Sequence, residues 1–340
     1  MEAREFFSKN KSIIVIVCCF LVSATLPIVF QKPYILAILI MTVYIAGCSL
    51  AWSILGGMIG QISLGHGAFA ALGAYIGAVL YSFLDISPWI SMIIAFFVVG
   101  IVMTLLLSPC FGLKGAYFSL ATIAFGEAFR NIFINWEFVG SGQGMILKIV
   151  REESFWMLAF RNKTHYFYVG LFLLFILYLI VRYISESKLG YAFKTIREDE
   201  GTASAIGIEP QKYKMIAAFI SCGLTGIMGV FYACYVRYIS PELMMQNKSL
   251  EFVLPAVIGG ISTVEGPLLG SLIIVPLSQY LNSTLGSQLP GSNLVVYSII
   301  LIAVVLFQPS GLFGWWNSMQ QKKKLTLERG PLLDAEGVEQ

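Results

Sequence analysis

The chain has 340 residues, of which 57% are hydrophobic and only 12% charged. A soluble domain carries roughly 25% charged residues, so this chain lacks the polar groups to cover a globule in water, and a soluble enzyme is excluded. A net charge of +3, scattered along the chain, is too small for phosphate tracking, so no nucleic acid is expected as a partner.

A helix crossing the ~30 Å hydrocarbon core needs about 20 apolar residues, and the charge-free stretches place the spans. After a basic start (Arg4, Lys9, Lys11), residues 13–30 form the first. A cleaved secretory signal is the competing reading, but no A-x-A site follows. Pro33 to Leu84 holds no Asp, Glu, Lys or Arg and reads as two spans joined by the glycine-rich stretch Leu55 to Gly60. Residues 86–113 give the fourth span. Residues 115–136 give the fifth, which carries Glu127 and Arg130, with Lys114 at its edge. A polar segment, 137–163, leads to a sixth span at 164–181.

Residues 182–214 are basic (Arg182, Lys188, Lys194, Arg197, Lys212, Lys214), and 215–236 is the seventh span. The run Phe252 to Val264 is short and broken by Pro255 and Gly259-Gly260. Spans at 267–282 and 292–313 follow, then a polar tail opening with Lys322-Lys323-Lys324. Lys/Arg bias puts the start, the 182–214 segment and the tail on the cytoplasmic side. Even numbers of crossings between them give ten helices, or eight if the 252–264 piece and its neighbour form a re-entrant hairpin. The fold class is an all-α polytopic membrane bundle with broken or re-entrant segments. The parity places 137–163 outside, against its own Lys148, Arg151, Arg161 and Lys163.

Cys18, Cys19, Cys48, Cys110, Cys222 and Cys234 lie in apolar runs without CxxC spacing, so neither a disulfide framework nor a metal site is expected. No Walker sequence occurs, so the chain binds no ATP through a P-loop of its own, and no HExxH, GxSxG or paired-carboxylate motif suggests a catalytic residue or cofactor. Gly56-Gly57 and Gly259-Gly260 sit in matching weakly apolar breaks. Such breaks point either to a central transport pathway or to close helix packing. Glu127 and Arg130, at i and i+3 on one helix, meet on one face. They read as an internal ion pair or as a group facing a polar permeation path. His66, in Ser63-Leu64-Gly65-His66-Gly67, reads as a satisfied histidine packed by a backbone carbonyl or as a proton relay, although no acidic partner lies nearby in the sequence. Phe193 to Ile208 reads as a short helix outside the bilayer, N-capped by Asp199, with Ile196, Ala203 and Ile206 on one side and nothing evident in its own chain to bury against.

Four blocks carry a resemblance to a known family. They are Gly60-Gln61-Ile62-Ser63-Leu64-Gly65-His66-Gly67-Ala68-Phe69 with Gly73-Ala74-Tyr75, and Ala121 to Glu127 through Arg130 to Asn135-Trp136. The others are Ile196 to Glu200 with Ala203, Gly207, Tyr213-Lys214 and Ala218-Phe219, and Ala256 to Gly260 with Gly266-Pro267 and Gly270. In this order, over residues 35–310, they resemble branched-chain amino acid ABC permeases, of the LivM type.

The resemblance implies one of two permease subunits in a bacterial inner membrane. Its partners would be a companion permease, two cytoplasmic ABC ATPase subunits and a periplasmic substrate-binding protein. The division would be a cytoplasmic N-terminus (1–12), a transmembrane permease domain (13–313) with a periplasmic loop (137–163) and a cytoplasmic coupling loop (185–213), and a cytoplasmic tail (314–340). Glu200, Ala203 and Gly207 would couple to the ATPase. Ser63, His66, Glu127, Arg130, Gly259 and Gly260 are the pathway candidates. Where the family has a Thr-Gly-Gly stretch, this chain has Val139-Gly140-Ser141-Gly142-Gln143-Gly144, so partner or substrate choice can differ. The family also serves urea, short-chain amides and other amino acids. The rival from another class is an ion-coupled secondary transporter, which usually needs carboxylates near the midplane.

Overall fold

A computed structural model describes residues 19–113, 115–148 and 152–285. The expected N-terminal segment 1–12, Lys114, Arg151, the 292–313 span and the 314–340 tail lie outside the described residues.

Within them, helices occupy every expected span. α1 (Cys19–Val29) precedes α2 (Pro33–Ser53), α3 (His66–Leu84), α4 (Pro88–Leu107), α5 (Ala116–Asn135) and α6 (Lys163–Glu186). Two short helices, α7 (Lys188–Glu198) and α8 (Glu200–Ala205), are followed by α9 (Pro210–Val236), α10 (Gln246–Gly260) and α11 (Gly266–Leu285). Five helical stretches, 33–58, 66–84, 88–112, 163–186 and 210–236, are long and apolar enough to cross a membrane. The local rules are ordinary. Proline opens α2, α4 and α9 at a position whose N–H needs no partner, and Asn162 caps α6 by accepting from the Thr164 N–H.

Two long helices organise the bundle. α9 packs along α3 and α4, and α2 packs along α6, α9, α10 and α11. Small residues allow the approach: a Cβ on Gly73 of α3 would lie 2.6 Å from the Gly226 Cα of α9, the kind of contact that holds helices together where lipid removes the hydrophobic drive. The chain is an all-α membrane bundle.

Contacts between connecting segments sort them into two ends. At one end, β1 (Met145–Ile146) pairs antiparallel with β2 (Tyr238–Ile239), Lys148 reaches Asp85 at 2.7 Å, and Lys163 reaches the Pro33 carbonyl at 3.4 Å. At the other, Arg182 joins Glu265 at 2.9 Å and Gln211 joins the Ser108 carbonyl at 2.8 Å.

The structure corrects two readings. The 193–208 segment is two helices, because Asp199 leaves helical geometry and caps α8, accepting from the Thr202 N–H at 2.6 Å. Its apolar side is not orphaned either: Ile196 and Ala203 are buried within their own chain, and only Ile206 of the three is exposed.

Candidate functional site

The glycine-rich connection between α2 and α3 is braced from several helices. α2 runs on into a π-helical turn, Ile54–Met58, with the Ile59 N–H reaching the Ile54 carbonyl and the Gln61 N–H the Leu55 carbonyl at 2.9 Å. Such wide turns concentrate at functional sites. A Cβ on Gly57 would strike the Ile261 carbonyl beyond α10, and one on Gly259 would strike the Gly266 carbonyl. The two glycine breaks therefore meet in space, and Gly259-Gly260 closes the α10–α11 hairpin. Backbone freed by such breaks is tolerated at membrane depth only inside protein or along a cavity.

Arg197 of α7 donates to the Gly57 carbonyl at 2.7 Å, which ties the short helices outside the spans to the helix break. Beyond it, Ser119 of α5 donates to the Ile62 carbonyl at 2.6 Å, Thr122 accepts from the Leu64 N–H at 2.9 Å, and Trp52 donates to the Ser63 carbonyl at 2.7 Å. The structure brings two of the pathway candidates, Ser63 and His66, together, and gives the histidine hydroxyl partners where a backbone carbonyl was expected. The His66 ring is fully buried, with Nδ1 3.0 Å from Ser63 Oγ and Nε2 2.9 Å from Ser221 Oγ. Ser221 spends its own proton on the Ala51 carbonyl at 2.8 Å, so it accepts from His66. That puts a proton on Nε2. At the start of α3, the Gly67 N–H donates to Ser249 of α10 at 2.8 Å, filling one of the donors a helix start leaves open.

Beside this brace lies a cavity of 240 Å³ between α2, α3, α9, α10 and α11. Its wall is largely apolar, with Met41, Ile45, Ala70, Ala71 and Ala74. Tyr44 and Tyr232 pack with ring centroids 4.8 Å apart. Lys248 and Glu251, one turn apart on α10, also line it, and their side chains form an ion pair at 2.8 Å. Sequence reasoning missed both. The stretch Arg237 to Glu251 reads as a polar connection, yet α10 begins at Gln246 and carries the two charges into the bundle.

Glu127 and Arg130 do meet, at 3.1 Å, with 42% and 26% of their side chains exposed. Neither lines the cavity. They lie on α5, which buries only Phe118, Thr122, Gly126 and Phe133.

The three coupling candidates part company. Glu200 is held by Lys214, a lysine 2% exposed that donates to Glu200 at 2.6 Å and to the Phe111 carbonyl at 2.8 Å. Ala203 is buried, in a helix packed on α9. Gly207 stands in open space at φ +85°, a left-handed conformation that costs other residues strain.

A family model described as branched-chain amino acid transport system / permease component matches residues 34–305. The chain is 24% identical over 322 residues to the high-affinity branched-chain amino acid transport system permease protein LivM of Escherichia coli (strain K12), covering 83% of this chain and 75% of that protein. It is 24% identical over 275 residues to the probable branched-chain amino acid transport permease protein LivH of Methanocaldococcus jannaschii, covering 75% and 84%. It is 26% identical over 132 residues to the LivH permease protein of Salmonella typhimurium, covering 39% and 42%. No solved structure matches the chain.

Proposed function

The chain belongs to the family of branched-chain amino acid transport permease components, and from that premise we propose that it forms one half of the membrane pathway of an ATP-driven importer of leucine, isoleucine and valine. The chain has no Walker sequence, so ATP hydrolysis falls to separate ATPase subunits, and a soluble binding protein delivers the solute. In this reading the α7–α8 end is cytoplasmic and the β1–β2 end periplasmic.

The observation that carries the reading is the Arg197 to Gly57 bond. A transporter driven from outside its own chain needs a mechanical link from a docking surface to the pathway. α7 supplies one: its outer side exposes Tyr191, and Arg197 holds the π-turn where the two glycine breaks meet. Glu200 and Ala203 then serve as anchors of α8 on α9, and the docking surface is made by Tyr191, Thr202, Ile206 and Gly207 around a shallow groove that Lys194 and Glu198 border. The companion permease covers α5. Lipid does not solvate an ion pair, the Arg130 Nε finds no partner among the described residues, and Tyr117, Leu120 and Ile132 stand exposed on the same helix.

The test is uptake of radiolabelled leucine into vesicles holding both permeases, the ATPases and the binding protein. Uptake that requires ATP and is indifferent to excess urea supports the reading. Uptake that persists without the ATPases would falsify it in favour of an ion-coupled carrier, and competition by urea or amides moves the substrate class.

A further inference from the structure

The cavity holding Lys248 and Glu251 has the chemistry of a zwitterion site. Its two charges have opposite sign and lie on one helix, 2.8 Å apart, with side chains 42% and 35% exposed. Ionisable groups inside a membrane bundle mark substrate routes by default. Here the pair faces not lipid alone but a cavity whose remaining wall combines apolar side chains, alanine, methionine, isoleucine and tyrosine among them, with the polar Asn247, Ser278, Gln279 and Asn282. Pro255, four residues after Glu251 on the same helix, has no N–H to give, so the Glu251 carbonyl lacks its usual helical partner. A cation entering the cavity finds the Glu251 side chain on its wall. At 240 Å³ the space falls below the roughly 300 Å³ at which pockets for drug-sized ligands begin, which fits a solute of amino-acid size.

We propose that this cavity is a transit site for a free α-amino acid, with Lys248 taking the carboxylate, Glu251 taking the ammonium, and Ala70, Ala71 and Ala74 receiving a small aliphatic side chain. The ligand's two charges replace the Lys248–Glu251 contact with two new ones, so neither protein charge is left unpaired. Without a ligand the two side chains neutralise each other. The inference rests on the transport reading and adds to it where the solute is held.

The test is equilibrium binding of radiolabelled leucine to the purified complex of both permeases and the ATPases in lipid nanodiscs, without the binding protein. Leucinamide, which has no carboxylate, and 4-methylpentanoate, which has no ammonium, serve as competitors. Charge-assisted hydrogen bonds carry most of the recognition, so each competitor is expected to bind about tenfold more weakly than leucine. Lys248→Gln is expected to weaken leucine by about the same factor while leaving leucinamide unchanged, and Glu251→Gln to weaken leucine while leaving 4-methylpentanoate unchanged. A purely structural ion pair shifts all three ligands together, and that result overturns the site, as does leucine binding unchanged in both variants. If a single variant fails to assemble, the double variant Lys248→Glu/Glu251→Lys keeps the pair. A stable swapped complex that has lost leucine supports the site, and one that binds leucine normally overturns it.

ATP-driven uptake by the unmodified complex is measured in parallel. Uptake with charge-insensitive binding overturns the site and leaves the transport reading intact. Charge-selective binding without uptake does the reverse.

Discussion

At the scale of single residues, the polar groups of the bundle divide into braces and working groups. His66 is a brace: buried and joined to Ser63 and Ser221. His66→Ala removes both bonds and opens a void, so we expect a loss of about 2–4 kcal/mol, read as a lower melting temperature of the complex. His66→Gln keeps a donor where Nε2 lies, and it should recover most of that stability and retain leucine uptake. Loss of uptake in a fully stable Gln variant would instead make the ring a proton relay. Arg197 is a working group in the transport reading. Arg197→Ala should leave the complex assembled and hydrolysing ATP while lowering leucine carried per ATP by about tenfold, the equivalent of one charged hydrogen bond. A parallel fall in hydrolysis and uptake would reduce Arg197 to local support.

At the scale of elements, Ala203 and Gly207 separate packing from docking. Ala203→Leu forces a larger side chain into a fully buried position and should cost about 1–3 kcal/mol, with ATPase co-purification falling only as the fold fails. Gly207→Ala meets no neighbour and carries only the left-handed strain, on the order of 1 kcal/mol, whereas Gly207→Trp should strip the ATPase from a folded complex. Retention of the ATPase by a folded Trp variant would remove Gly207 from the docking surface.

These elements also show where the sequence is readable. α2, α3, α4, α6 and α9 stand out because hydrocarbon demands an unbroken apolar run. The charge-free run starts only at Phe252 and so marks α10 short, whereas the helix begins at Gln246 and turns Lys248 and Glu251 onto a cavity. The pattern of Ile196 and Ala203 suggests one helix where there are two, because it is blind to the extended backbone at Asp199. That Ile196 and Ala203 have partners in their own chain depends on contacts distant in sequence, which no local periodicity records.

At the scale of the whole molecule, the bundle is finished on some sides and open on others. α2 and α9 are enclosed, while α5 has a single buried face and a charged pair beside it. A complex with cysteines at Ile132→Cys and at a facing position of the companion permease should cross-link efficiently. Ile101→Cys on α4, equally exposed and far from any charge in its helix, should not. Cross-linking through Ile101 in preference to Ile132 would place the companion elsewhere. The pairing of Glu127 with Arg130 was legible from their spacing, but their position off the cavity was not, since spacing along one helix says nothing about which neighbours the helix has.

The turn at Ile54–Met58 acts as a spare tooth in a gear. A π-turn takes up one residue more than an α-turn, so relaxing it to α geometry would advance the following backbone by about 1.5 Å and rotate it by about 100°. The segment turned in this way begins at the Gly57 carbonyl, which Arg197 grips, and runs on to the Ser63 and His66 brace and to Gly67 at the cavity wall. In the transport reading, a small sideways pull on α7 would be converted into rotation next to the cavity, with no need for a whole helix to slide. Spin labels on α7 and on α3 should report a change in their separation between ATP-bound and nucleotide-free complexes, and an unchanged distance would rule this gearing out.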